Sequence, residues 1–244
     1  LLFGFFFIAG LLWYLRFTET KNKSNYIFSL LLFTASMLSK PMAASFPLVL
    51  FLFDKYFNRS LNGKTVMEKI PFAVVGILIF IVPVLHKEAM PATSDSFSYS
   101  FTENYSYVNR ILLSINAFCF YPVRFLVPYG LTAYHGFPVL QNGLLPVQYF
   151  ILPALLVIAL LSFFLFRFKI TWKRVSFGLL FYLLTIAPVV HLIPYGTNIY
   201  LAERYAYIPM LGFVFIFSGY ILKYMQAPAS RTRIIAFAAT AIVI

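Results

Sequence analysis

Asn198-Ile-Tyr-Leu-Ala-Glu-Arg-Tyr-Ala-Tyr-Ile-Pro-Met-Leu-Gly212 sets Glu203 and Arg204 beside three tyrosines at the mouth of a long apolar run. Charge at the edge of a membrane segment is costly unless something solvates or uses it. The stretch therefore reads as the boundary of a membrane-embedded helix. The rest of the sequence supports that reading: 61% of the chain is hydrophobic, 20% aromatic and only 11% charged, far more apolar than a soluble domain requires. The apolar runs do not alternate with polar residues as barrel strands would. We expect an all-α fold, a polytopic transmembrane helix bundle.

The spans are expected at about 1–15, 25–39, 42–53, 70–85, 147–166, 175–190, 205–222 and 234–244. Leu1 and Ile244 both fall inside apolar runs, so the chain is expected to be an internal piece of a longer protein, a partial transmembrane domain. The net charge of +12 could suggest nucleic acid, but its placement follows the positive-inside rule instead. Most of the basic residues lie in alternate connections: Arg16, Lys21 and Lys23, then Lys55, Arg59, Lys64 and Lys69. Arg167, Lys169, Lys173 and Arg174 follow, then Lys223, Arg231 and Arg233. Only Glu19, Asp54 and Glu68 offset them there. These loops are assigned to the cytoplasm.

That orientation makes 25–53 two short spans with an outward turn at Lys40-Pro41. Both are shorter than the roughly 20 residues of a full crossing, so they must thin the bilayer or pack inside the protein. It also keeps 107–127 from spanning. This segment is expected to be an interfacial helix on the outer face, with Asn109 and Asn116 on one side. The region 86–146 is an outer elaboration, and function is expected there or just beneath it.

Three outer cations could bind an anion. Arg204 suits bidentate phosphate or carboxylate binding. A helix starting near Leu201 would set Tyr200 and Tyr207 on its side, with Glu203 rotated about 100° away. The alternative is a tyrosine belt with a snorkelling arginine. Lys40 precedes Pro41, which suits a first helical turn, so free amides beside the lysine would make an anion site. The alternative is a lysine reaching for water. Arg124, in Phe120-Tyr-Pro-Val-Arg-Phe125, is the third, while Arg110 reads as a polar residue of the interfacial helix. His86, His135 and His191 are isolated and read as structural. No metal-ligand cluster is present in the sequence, and the single Cys119 allows no intrachain disulfide. Asp95 and Glu103 read as solvated. Asn104-Tyr-Ser106 and Asn58-Arg-Ser60 match the glycosylation sequon, a weak pattern, and the second falls on the side where it cannot be used.

Several segments together resemble one family. Ser39-Lys-Pro-Met-Ala-Ala-Ser-Phe-Pro47, followed by Leu50-Phe-Leu-Phe-Asp54, is similar to a segment of bacterial polytopic proteins that end in tetratricopeptide repeats. Their animal relatives are the transmembrane and tetratricopeptide repeat O-mannosyltransferases. Ala202-Glu-Arg-Tyr-Ala-Tyr-Ile-Pro209, with Gly212, looks like that family's Ala-Glu-Arg-x-x-Tyr-x-Pro signature. Tyr121 through Pro138 (with Pro128, Leu131 and Tyr134) and the opening 1–14 are similar to further family segments.

The resemblance implies a GT-C glycosyltransferase of the membrane, a hexosyltransferase with its active face periplasmic in a bacterial inner membrane. It implies transfer of a mannose-type sugar from a polyprenyl-phosphate donor to a hydroxyl on a protein or glycan acceptor, with no cofactor. The catalytic acid would lie upstream of Leu1 and the repeats beyond Ile244. Lys40, Arg204 and Arg124 would bind the donor phosphate, supported by Glu203, Tyr200 and Tyr207. The bilayer is an expected partner and nucleic acid is not. A transporter or lipid flippase shares the basic loops and apolar spans, and a non-catalytic anchor for a repeat domain is the third reading.

Overall fold

The computed structural model describes residues 1–85, 105–130, 132–140, 143–166, 172–190 and 199–226. The last expected span (234–244), most of the loop after residue 85, His86, His191, Asp95, Glu103 and Asn104 lie outside them. The described chain is all-α apart from one short ribbon. Its helices are α1 (Leu2–Thr20), α2 (Lys23–Ser39), α3 (Phe46–Tyr56), α4 (Gly63–Met67), α5 (Ile70–Leu85), α6 (Tyr107–Leu126), α7 (Gln148–Phe166), α8 (Trp172–Ile186) and α9 (Met210–Gln226). Among the described residues one helix, Leu2–Thr20, is long and apolar enough to cross a membrane, and Met210–Gly219 is a shorter apolar helix.

α1 and α2 form a tight antiparallel hairpin. Lys21 adopts φ 56° to close α1, and the Asn22 side chain accepts from Ser24 N at 2.9 Å to open α2. Two serines of α2 reach across to α1 carbonyls: Ser29 Oγ donates to Gly10 O at 2.8 Å and Ser36 Oγ to Phe3 O at 3.1 Å. α2 ends at Lys40 because Pro41 drives its predecessor out of the helical region, to φ −163° and ψ 127°. The turn expected at Lys40-Pro41 is present. Beyond it residues Pro41–Ser45 are 3₁₀, so the expected helix over 42–53 begins as a tighter turn and runs on to Tyr56. The core centres on Phe46, stacked on Phe33 and Phe72 and met edge-on by Phe7.

Chain reversals gather at two opposite ends. At one, Phe3 packs on Tyr207 and Lys40 lies over Phe3. At the other, Tyr26 OH donates to Glu68 O at 2.8 Å, and Lys173 Nζ to Asn58 Oδ1 at 3.1 Å. The basic connections at Lys21–Lys23, Lys55–Lys69 and Lys173–Arg174 therefore share the second end, as their alternation predicts. α8 and α9 cross through Gly178 and Gly212. A Cβ on Gly178 would stand 2.5 Å from the Gly212 carbonyl oxygen, and one on Gly212 would overlap the Gly178 carbonyl.

α6 does have one polar side, but that side is buried. Asn109 Nδ2 donates to Gly143 O at 3.1 Å, and Asn116 is held between Tyr149 O and Tyr200 OH. The exposed side is apolar, with Val108, Ile111 and Phe125. Asn109 and Asn116 thus share one side of α6, as expected, and that side faces the protein. Two prolines explain part of this packing. Pro122 cannot donate to Phe118 O, which takes Tyr182 OH at 2.6 Å instead; Pro153 likewise frees Tyr149 O for Asn116.

Candidate functional site

Residues 199–210 are not one helix. Ile199–Leu201 is a strand (β2) paired antiparallel with His135–Gly136 (β1), Glu203–Tyr205 is a 3₁₀ turn, and α9 starts only at Met210. Pro209 sets that start: it occupies the position just before the helix, where its missing N–H costs nothing. The helix expected from near Leu201 is therefore wrong, and so is the arrangement of tyrosines built on it. Tyr200 is 1% exposed and donates to Leu113 O at 2.7 Å. Tyr207 packs on Phe3. Neither is seen against Arg204.

Tyr205, which the helical spacing missed, takes their place. Lys40 Nζ lies 4.1 Å from its ring centroid and Arg204 Cζ 5.6 Å. Two cations 164 positions apart in sequence thus share one ring. Lys40 is half-buried and Arg204 exposed. Burial, and then the charge of Arg204, push the Lys40 amine down to about 8. Among the described residues neither cation has a carboxylate partner. Of the amides after Pro41, the Ala43 N–H is used within the turn, donating back to Lys40 O at 3.1 Å.

Glu203 turns away from Arg204. Its Oε1 is shielded from solvent and lies 3.7 Å from His135 Nε2, which also meets Thr132 Oγ1 at 2.9 Å. His135 was read as isolated, but the ribbon brings it to Glu203. Arg124 stands over Phe120, and Phe120 packs edge-on against His135. Arg124 is thereby tied to Glu203 through two rings rather than set on the Tyr205 ring. Arg110 sits near the start of α6 over Tyr107, and Arg124 near its end.

The opposite end holds a second charged group that the loop reading missed. Asp54 and Lys69 are each 2% exposed and form an ion pair. Lys69 Nζ also donates to Tyr14 OH and Thr65 O, at 2.8 and 2.9 Å. Arg59 reaches Asp54 at 3.4 Å, Tyr14 OH at 3.2 Å and the Glu68 carboxylate at 2.7 Å. One signal was available: Asp54 follows Leu50 by four, on the buried side of α3.

No family model, curated protein or solved structure matches the chain.

Proposed function

We propose that this chain is part of a polytopic membrane glycosyltransferase of the GT-C type. It would transfer a mannose-type sugar from a polyprenyl-phosphate donor to a protein or glycan hydroxyl, with the Lys40 end outward. The observation that carries the reading is the convergence of Lys40 and Arg204 on Tyr205, with no neutralising acid among the described residues. A fold that holds two cations together at such an energetic cost favours an anion between them. The basic connections at the opposite end support the orientation.

In this reaction the acceptor oxygen attacks the anomeric carbon, and the bond from that carbon to the phosphate oxygen breaks. Negative charge then grows on the departing lipid phosphate, where Lys40 and Arg204 would stabilise it. The acceptor proton would go to a general base, which the family resemblance sets upstream of Leu1.

The test uses the intact protein and a radiolabelled polyprenyl-phosphate sugar. Lys40→Ala and Arg204→Ala should each lower kcat/KM on the order of 10²-fold, the scale of removing one transition-state donor. Unchanged turnover and donor affinity in both variants would sink the assignment. Recovery of the sugar lipid unaltered on the far side of a vesicle would favour a transporter.

A further inference from the structure

We propose that the rim of the Asp54 end is a binding surface for the headgroups of anionic phospholipids. The proposal rests on the membrane reading of the chain. Its basis is a division of labour among charges. Asp54 and Glu68 are spent internally on Lys69 and Arg59, two against two. Outside that neutral knot Lys21, Lys23, Lys55, Lys64 and Lys173 are exposed, with Glu19 the one exposed acid of this end among the described residues. Positive charge at the rim is thus left largely uncompensated by design of the interior.

Two observations point to lipid rather than to a nucleic acid or an acidic protein. First, large apolar side chains stand exposed among the lysines: Phe57 at 60%, Met67 at 67% and Trp172 at 61%. Such groups favour the boundary between headgroups and acyl chains. Second, three exposed cations lie over aromatic rings: Arg16 over Trp13, Lys21 over Phe17 and Lys173 over Tyr56, at 5.3–5.7 Å. An apolar stem against a ring with an exposed cationic head is the pattern of side chains that bridge hydrocarbon and a charged plane. These cations lie over separate rings of α1 and α3 instead of sharing one, which fits a charged sheet better than a single free phosphate. Basic residues beside a leaflet each add attraction to anionic lipid that falls off within a Debye length.

The intact protein is first extracted from its membrane with alkaline carbonate. Release would overturn the membrane reading and this proposal together. Retention supports the first, and a titration in neutral detergent then tests the second alone. Phosphatidylglycerol should bind at least about tenfold tighter than phosphatidylcholine, given four or more basic residues at the surface. Lys21→Gln, Lys23→Gln, Lys55→Gln and Lys64→Gln combined should abolish that ratio with an unchanged melting midpoint, because all four are exposed. The matching Lys→Arg set should keep it. Equal affinity for the two lipids would overturn the proposal. So would loss of the ratio in the arginine set, or equal competition by inorganic phosphate or by a single-stranded oligonucleotide at the same charge concentration.

Discussion

The two ends of the bundle hold the same kinds of residue and use them oppositely. At the Asp54 end a buried lysine meets a buried carboxylate, a phenol and a backbone carbonyl, so every proton of its ammonium has a taker. At the Lys40 end a half-buried lysine meets a ring and another cation. The difference lies in where the acids go. Asp54 and Glu68 point inward, whereas Glu203, next in sequence to Arg204, turns to His135. A cation matched by an acid is part of the structure; one with no acid beside it among the described residues is the kind the proposed function assigns to a ligand.

The sharpest way to break this contrast is to unbalance the satisfied end. Asp54→Ala leaves Lys69 buried without its counter-charge and should cost about 3–5 kcal/mol. Lys69→Met should cost less, because Arg59 still reaches Asp54 at 3.4 Å. Asp54→Leu combined with Lys69→Met removes both charges and should recover most of the loss. Denaturation midpoints of the three variants decide it: additive losses would mean the two residues act separately.

The next effect concerns what joins the ends. Gly212→Ala drives a methyl into the Gly178 backbone and should destabilise by about 1–3 kcal/mol. Among the described residues Gly76→Ala in α5 meets only Phe33, at 3.6 Å, and should gain up to about 1 kcal/mol from the helix preference of alanine. Equal responses in thermal unfolding would show that the close crossing of α8 and α9 has slack.

Much of the frame was legible. Apolar run length placed most of the helices, and the alternation of basic connections placed their ends, because both depend on local composition. What was not legible depended on pairings between distant segments. The ribbon of His135 with Leu201 replaced a helix start with a strand and a 3₁₀ turn, exchanging Tyr200 and Tyr207 for Tyr205 beside the arginine. Pro209 was the missed local clue, since a helix running through it would forfeit the bond to Tyr205 O. Arg124 was legible as an outer cation, but its place beyond Phe120 and His135 depends on that same ribbon.

Titration sharpens the contrast at the unmatched end. Lys40 is pushed down to about 8 from an ordinary 10.5. Between those values the unfolded chain holds more protons than the folded one, so the contribution of Lys40 to stability rises with pH across that window. Anion binding runs the other way, because only the ammonium attracts phosphate. Donor affinity should be full below about 8 and fall as pH rises through it. Lys40→Arg, which stays charged, should flatten the profile between pH 7 and 10. A wild-type profile already flat there would mean that Lys40 does not touch the anion.

The smallest expected effect tests whether the shared ring matters beyond filling space. Tyr205 is partly exposed, and its face attracts both cations, holding charges that repel one another. An interaction of this kind at a partly solvated site contributes about 0.5–1 kcal/mol. Tyr205→Leu removes the quadrupole and leaves an apolar side chain, so donor affinity should weaken only about two- to fivefold. Tyr205→Phe keeps the ring and should bind as the wild type does. If phenylalanine were as damaging as leucine, the hydroxyl would be the important group, through a contact with the donor itself. If leucine were harmless, the two cations would be positioned by their backbones alone: Lys40 by the proline that follows it, Arg204 by the 3₁₀ turn that carries it. The unmatched end would then owe its geometry to main-chain restraints, while the matched end owes its geometry to charge.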